Sequence, residues 1–148
     1  MGPVYGAKAV SLRGRICPWC IADGSAHEKY GAEFTDAAGV GGHRRGWDEV
    51  PKEVVEEVAY RTPGFSGWQQ ERWWTHCGDA ADFLGPAGRG EVEAYGSELV
   101  EALRADVGGM SDQNWQAYYQ ALDKKHGPTA YVFRCLHCGK VGGYSDSH

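Results

Sequence analysis

Several signals that mark whole classes of protein are missing from this sequence. No run of lysines or arginines occurs in its 148 residues, and the net charge is −5 with histidine neutral. The positive surface that binds DNA or RNA phosphates is therefore not expected. No stretch approaches the roughly 20 apolar residues of a membrane-spanning helix, and Met1–Arg15 lacks the apolar core of a secretion signal. The sequence predicts a cytoplasmic protein without a membrane span, for which nucleic acid is an unexpected partner.

The composition is that of a folded protein. Hydrophobic residues make up 42% of the chain and charged residues 24%, which argues against global disorder. A chain of 148 residues fits one domain and can bury a core. Six tryptophans and eight tyrosines supply large apolar areas for that core and for the walls of a pocket. We expect a single domain over residues 1–148.

Apolar periodicity predicts a helical middle of about four helices. Apolar residues recur every three to four positions between prolines, glycines and capping residues. The predicted helices are Pro51–Arg61, Ser66–Leu84, Glu91–Asp106 and a segment that starts at Ser111 or Asp112 and ends before Gly127-Pro128. The fourth helix carries Trp115, Tyr118, Tyr119 and Leu122 on one face.

Strands are predicted at both ends of the chain. β-Branched and aromatic residues indicate strands at residues 130–134 and 141–145, and short strands within Val4–Leu12. The fold class is therefore α+β, with zinc-knuckle or ribbon-like strands at both chain ends around the helical middle. The domain then divides into an N-terminal knuckle region (1–47), a helical region (48–127) and a C-terminal knuckle with strands (128–148).

The five cysteines carry the strongest chemical signal. Their odd number and the missing secretion signal disfavour a framework of disulfides. Four of them form two CxxC pairs: the first pair is Cys17 and Cys20, and the second pair is Cys135 and Cys138. A structural zinc ion needs four ligands in a tetrahedron, and each CxxC turn points two sulfurs at one centre. The sequence predicts one structural Zn²⁺ bound by these four cysteines.

The separation of the two pairs makes this predicted site unusual. A compact zinc ribbon has about 15–20 residues between its pairs, whereas 114 residues lie between Cys20 and Cys135. Because the entropy of loop closure grows only logarithmically with length, one ion can still join the two chain ends. Gly139 permits the positive φ that a knuckle needs after its second cysteine. Two alternatives stay open: a thioredoxin-like redox pair, and buried cysteines without metal.

Cys77 lies on the apolar face of the second predicted helix. Its plainest interpretation is a buried core cysteine. The alternatives are a metal ligand, with or without His76, and a catalytic thiol. Adjacent helix positions point about 100° apart, so His76 would be poorly placed as the base for Cys77.

The same segment is rich in polar and aromatic side chains. Glu71, His76 and Asp79 are candidate acid, base or ligand groups in a cleft walled by Trp68 and Trp74. The plainer interpretation is a solvated helix face or a polar network that holds this helix to the zinc region.

Five segments are long enough to be compared with family motifs. They are Cys17–Ser25 (CPWCIADGS), Phe34–Asp36 (FTD), Arg61–Glu71 (RTPGFSGWQQE), Thr75–Asp79 (THCGD) and Phe133–Gly139 (FRCLHCG). Together they resemble the CbrC family, bacterial proteins associated with tolerance to colicin E2, over nearly the whole chain. The resemblance implies a small cytosolic protein of unestablished biochemical activity, and it supplies no catalytic residue.

The resemblance also implies a different set of ligands. Members of that family carry another CxxCG upstream of a segment like Gly2–Tyr5, and the resemblance therefore implies that the start of this chain is either truncated or wrongly assigned. The first CxxC pair would then share a ribbon-type site with the upstream pair. The second pair would need other partners, for which Cys77 and His76 are candidates.

Three functions follow from these patterns. The leading hypothesis is a zinc-stabilised binding or regulatory protein with an unknown protein or small-molecule partner, acting in colicin tolerance or an envelope-stress response, since no catalytic constellation is recognisable. The alternative is an enzyme that uses Glu71, His76 and Asp79. The third is a nucleic-acid-binding zinc protein, against which the acidic balance argues.

Overall fold

Short helices and strands alternate along the chain. The computed structural model describes Val4, residues 14–42 and residues 46–148. Its helices are α1 (Pro18–Ala22), α2 (Ser25–Tyr30), α3 (Lys52–Arg61), α4 (Arg89–Tyr95), α5 (Ser97–Val107) and α6 (Asp112–Ala121), with a 3-10 turn at Ala37–Gly39. Its strands are β1 (Thr75–His76), β2 (Asp79–Ala80), β3 (Asp82–Ala87), β4 (Thr129–Arg134) and β5 (Val141–Asp146). The described residues form a single α+β domain, which confirms the predicted fold class.

β4 is the central strand of an antiparallel sheet with the order β3-β4-β5. Its side chains alternate between two cores, as the two-residue period of a strand requires. Ala130 and Val132 belong to one core, and Tyr131 and Phe133 belong to the other. Because both faces of β4 are covered, its sequence is a continuous apolar run rather than an alternation of apolar and polar residues.

The core on one face of the sheet is formed by α4, α5 and α6. Val92, Leu99 and Leu103 are 0% exposed and Trp115 is 2% exposed. Each such side chain contributes about 1.5–3 kcal/mol relative to an exposed one. α5 packs along β5, so the apolar faces of these helices and the sheet cover each other.

The core on the opposite face is aromatic. The ring centroid of Phe65 lies 4.2 Å from that of Phe83 and 5.2 Å from that of Tyr131. Trp73 and Phe133 both lie 5.9 Å from Phe65. These rings anchor the segment that connects α3 to β1 against the sheet.

Most of the predicted elements are confirmed with small shifts of their ends. α3, α6, β4 and β5 lie where periodicity and turn residues predict them. The helix predicted over 91–106 is instead two helices, α4 and α5, because the chain turns at Gly96, whose φ is 102°. A positive φ is accessible to glycine without a steric cost.

The helix predicted over Ser66–Leu84 is wrong. The segment is an extended loop that leads into β1, β2 and β3. Trp73 pairs with the 3-10 segment instead of a helical neighbour: its N–H donates to the carbonyl of Gly39 at 2.8 Å, and its carbonyl accepts from Gly41 at 3.0 Å. Burial of Trp73 and Trp74 in the aromatic core outweighs the weak helical spacing, since tertiary contacts routinely override local propensity.

The N-terminal part of the chain forms a separate small core. Ile16, Ile21 and Phe34 pack there together with Val4. The strands predicted within Val4–Leu12 otherwise lie outside the described residues. Among the residues that the structure describes, no helix combines the length and apolar content needed to cross a membrane.

Replacement of Gly142 by alanine is expected to destabilise the protein strongly. A Cβ at this position would lie 2.4 Å from Cζ2 of Trp74, which is itself only 5% exposed. Overpacking of this kind costs about 1–3 kcal/mol or more. Urea unfolding should show the loss, with Gly90→Ala as the control, because nothing lies within 4 Å of a Cβ there and alanine favours the helix. Equal stability of the two variants would contradict the close Gly142–Trp74 packing.

Candidate metal centre

Four potential metal ligands meet at one end of the sheet. One ligand atom from each of His76, Cys77, Cys135 and Cys138 lies within 4.8 Å of all the others. We call these four residues the Cys/His cluster. His76 Nδ1 is 3.3 Å from Cys77 Sγ and 3.4 Å from Cys138 Sγ. Tetrahedral zinc with Zn–S near 2.3 Å and Zn–N near 2.0–2.1 Å would place such atoms about 3.5 Å apart, so the cluster has the size of a metal site.

Cys77 reaches the cluster from the turn between β1 and β2. The register pairs His76 with Asp79, which leaves Cys77 and Gly78 as a two-residue loop with φ of 54° and 69°. Positive φ at both positions is the property of a type I′ hairpin turn, in which asparagine followed by glycine is preferred. Among the described residues, Cys77 is the one non-glycine residue with positive φ.

The second CxxC pair forms the turn between β4 and β5. The N–H of Cys135 donates to the carbonyl of Lys140 at 2.8 Å, and the N–H of Gly139 donates to the carbonyl of Cys135 at 3.1 Å. The N–H of His137 also points at Cys135 Sγ, at 3.4 Å. Gly139 has a φ of 75°, which confirms its predicted role in turning the chain after the pair.

The thiols of Cys77 and Cys135 have pKa values shifted in opposite directions. Burial raises the pKa of Cys135, but hydrogen bonds from the backbone N–H groups of Cys138 and His137 outweigh it and lower that pKa to about 6. The contact with Cys135, followed by burial, raises the pKa of Cys77 to about 11. One thiolate is therefore favoured near neutral pH, and a bound cation would favour loss of the other protons.

Neighbouring side chains fix the orientation of the cluster. The ring of Trp74 stacks on that of His76 at 5.2 Å with an interplanar angle of 12°. Asp79 Oδ2 lies 2.8 Å from Nε2 of His137, which joins the two turns directly beside the cluster. The carboxylate of Asp48 accepts from the N–H of Gly78 at 2.8 Å. Partners of this kind are typical of built metal sites.

The first CxxC pair lies outside the Cys/His cluster. Cys17 caps the N-terminus of α1, and its Sγ is 2.8 Å from Sγ of Cys20. The contact between the two thiols lowers the pKa of Cys17 and raises the pKa of Cys20. Of the four predicted ligands, the structure therefore brings Cys135 and Cys138 together and places the first pair elsewhere.

The residues of the predicted tryptophan-walled cleft do not converge. Glu71 lines a polar cleft of about 720 Å³ with Arg72 and Asp106, whereas His76 belongs to the Cys/His cluster and Asp79 lies beside it. Trp74 is buried in the aromatic core. Trp68 lies beside a different cavity and donates from Nε1 to Thr129 at 2.9 Å. The predicted walls and polar groups thus belong to separate parts of the protein.

The sequence predicts a buried core cysteine at Cys77 and offers a metal ligand, with or without His76, only as an alternative, because the segment is predicted as a helix. On a helix these two side chains would diverge, whereas on a strand that runs into a tight turn both can reach one point. The available signal was Gly78, since glycine is preferred at the second position of a type I′ hairpin turn, although cysteine is not a usual residue at the first position. Only the family resemblance suggested these two residues as partners of the second pair.

The strained turn gives a direct prediction for Cys77. Cys77→Asn should abolish or strongly weaken zinc binding yet leave the metal-free protein as stable as the parent or more so. Asparagine tolerates positive φ, and a strained residue costs about 1–3 kcal/mol. The measurement is urea unfolding in a chelator, together with metal content. Cys77→Ser is the matched control, because it removes the sulfur and keeps the strain; retention of zinc by Cys77→Asn would contradict the assignment of this ligand.

Comparisons with known proteins give one family. The model described as "Uncharacterised protein family (UPF0167)" matches residues 1–147. The chain is 47% identical over 153 residues to UPF0167 protein Mb2317 of Mycobacterium bovis and to UPF0167 protein MT2352 of Mycobacterium tuberculosis, which covers 98% of this chain and 74% of each relative. It is 42% identical over 133 residues to UPF0167 protein PA1536 of Pseudomonas aeruginosa, which covers 86% of this chain and 68% of the relative. No solved structure matches the chain.

These findings correct the family named from the sequence. The matching model and these relatives carry the UPF0167 name, and the CbrC name does not occur among them. The link to colicin tolerance rested on that resemblance alone and is withdrawn with it.

Proposed function

This chain belongs to the UPF0167 family, and we propose that it is a binding protein stabilised by one structural zinc ion held by the Cys/His cluster. The observation that supports this most is the convergence of four ligand atoms within 4.8 Å from two separate turns. Three sulfurs and one imidazole form a ligand set that binds zinc in preference to hard cations such as magnesium.

A structural role fits the ligand set better than a catalytic one. Catalytic zinc sites keep one coordination position for water or substrate, whereas structural sites use four protein ligands. The cluster offers four such ligands, His76, Cys77, Cys135 and Cys138. A tetrahedral ion bound to all of them would have no open position.

The site also supplies what the β1–β2 hairpin lacks. Its two strands have two residues each, and a short two-stranded hairpin is only marginally stable by itself. An ion shared with the turn between β4 and β5 would anchor this hairpin to one end of the main sheet. Zinc binding can supply roughly 10 kcal/mol or more of folding free energy in small zinc proteins.

The test is a map of the ligands by metal content. Elemental analysis of the purified protein should give about one zinc per chain, lost in Cys135→Ser, Cys138→Ser and His76→Ala. Cys17→Ser is the matched control and should retain the metal. Loss of zinc in Cys17→Ser with retention in His76→Ala would support the four-cysteine site predicted from the sequence and overturn the Cys/His cluster. If no preparation of the protein contained zinc, both the four-cysteine site and the zinc site at the Cys/His cluster would be contradicted.

A second candidate function is the binding of a small polar molecule in the 720 Å³ cleft. The cleft is lined by charged and hydroxyl side chains, including Glu71, Arg72, Asp106 and Tyr118, a mixture that suits a ligand with several hydrogen-bonding groups. A thermal-shift screen of polar metabolites should yield hits that Glu71→Gln weakens. Hits that bind the variant equally well would place the ligand elsewhere.

A further inference from the structure

The first CxxC pair is a contact between two thiols that the Cys/His cluster leaves unused. Sγ of Cys17 lies 2.8 Å from Sγ of Cys20, and both cysteines are free. A metal site would need further ligands, but no described histidine, cysteine or carboxylate joins these two in a cluster of three or more. The chemistry available to the pair within the described part of the chain is therefore that of a dithiol.

The local backbone holds the two sulfurs on the same side of the chain. The N–H of Cys20 donates to the carbonyl of Cys17 at 3.1 Å and also approaches Cys17 Sγ at 3.3 Å. Pro18 fixes φ at the first position of α1. A disulfide bond is about 2.05 Å long, so the sulfurs need to approach by only about 0.8 Å to be joined.

The two thiols differ in their access to solvent. Cys17 is exposed, whereas Cys20 is partly buried and packs against the small core of Ile21 and Ala26. An incoming reagent would therefore meet Cys17 first, and Cys20 would be the thiol that completes an intramolecular bond. Trp19 between them is 77% exposed and leaves the surface open on the solvent side.

The pair borders a cavity of about 940 Å³, large enough for a small peptide. Its lining presents charges of both signs, from Arg15, Glu28 and Lys29, together with the hydroxyl of Ser25. A molecule that carries both ammonium and carboxylate groups matches such a lining. This favours amino-acid or peptide disulfides over neutral ones.

From this geometry we infer that Cys17 and Cys20 form a redox-active dithiol that exchanges with small zwitterionic disulfides. The thiolate of Cys17 attacks one sulfur of the small disulfide, forms a mixed disulfide and expels one small thiolate. The thiolate of Cys20 then attacks Cys17 Sγ and expels the second. The protein gains one disulfide and loses two hydrogens, and the small disulfide is reduced to two thiols.

The experiment uses the zinc-loaded protein with oxidised glutathione as the probe. Free thiols are alkylated at intervals, and each cysteine is followed by peptide mass spectrometry. Cys17 and Cys20 should lose their free thiols together and give one cross-linked peptide, reversibly in dithiothreitol, while Cys77, Cys135 and Cys138 stay reduced. Cys20→Ser should accumulate the glutathione adduct on Cys17, and Cys17→Ser should leave Cys20 largely unmodified.

Two further measurements test the class of ligand and the redox role. The neutral 2-hydroxyethyl disulfide should react severalfold more slowly than oxidised glutathione, and Lys29→Ala should reduce that difference; equal rates would overturn the ligand class. Persistence of free thiols at both positions, or protection of both by added zinc, would overturn the redox role. Zinc content measured on the same samples separates this result from the fate of the Cys/His cluster.

Discussion

Removal of zinc is expected to lower the melting temperature by at least about 8 °C. The proposed ion joins two turns that are otherwise connected by few polar contacts, chiefly the pair Asp79–His137 at 2.8 Å. If the ion contributes even 4 kcal/mol, well below the roughly 10 kcal/mol seen in zinc peptides, a domain of this size would lose about 2–4 °C per kcal/mol. Differential scanning calorimetry with and without a strong chelator measures the change.

The loss of stability should also be local in its first effects. Hydrogen exchange in the metal-free protein should rise in β1, β2 and the turn between β4 and β5. Protection should persist in the helical core, where Leu99 and Leu103 are 0% exposed and no ligand of the cluster lies. Addition of zinc should restore both protection and melting temperature, and Cys17→Ser should respond to the chelator as the parent does. Unchanged melting in the chelator would remove the structural role.

Replacement of Arg72 by alanine is expected to destabilise the protein by about 3–5 kcal/mol. Its guanidinium donates to both carboxylate oxygens of Asp106, at 2.9 and 2.7 Å. The side chains of Arg72 and Asp106 are only 18% and 4% exposed, so the carboxylate would be left buried without this partner. The guanidinium also lies over the rings of Tyr144 and Trp47, at 4.3 and 4.9 Å from their centroids.

A double replacement distinguishes the ion pair from simple loss of packing. Arg72→Met with Asp106→Leu removes both charges and keeps much of the volume, so it should recover most of the stability. Arg89→Ala is the matched control: its pair with Glu93 is solvent-exposed, with side chains 44% and 51% accessible, and should be worth only about 0.3–0.5 kcal/mol. The measurement is urea unfolding of the parent, Arg72→Ala, the double variant and Arg89→Ala. A cost for Arg72→Ala no greater than that of the exposed control would contradict the account.

The Cys/His cluster shows which part of a site can be predicted from local sequence patterns. The second CxxC pair and Gly139 form a turn that can be predicted, because its conformation depends on neighbouring residues and on the positive φ of Gly139, at 75°. The position of His76 and Cys77 could not be derived in this way. The apolar residues of this segment are spaced as in a helix. The segment forms a loop and a hairpin instead because Trp73 and Trp74 are buried in the aromatic core.

Local residue patterns were enough to predict four of the helices and strands. α3, α6, β4 and β5 follow from apolar periodicity and from the prolines and glycines at their ends, since these act over a few residues. Which sulfurs meet depends instead on how distant segments pack. The two CxxC pairs are alike in spacing, yet Cys17 begins a helix in a separate small core, whereas Cys135 leaves the central strand beside the β1–β2 turn. Ligand convergence depends on how strands and turns pack, and packing is fixed by burial of distant aromatic residues rather than by spacing along the chain.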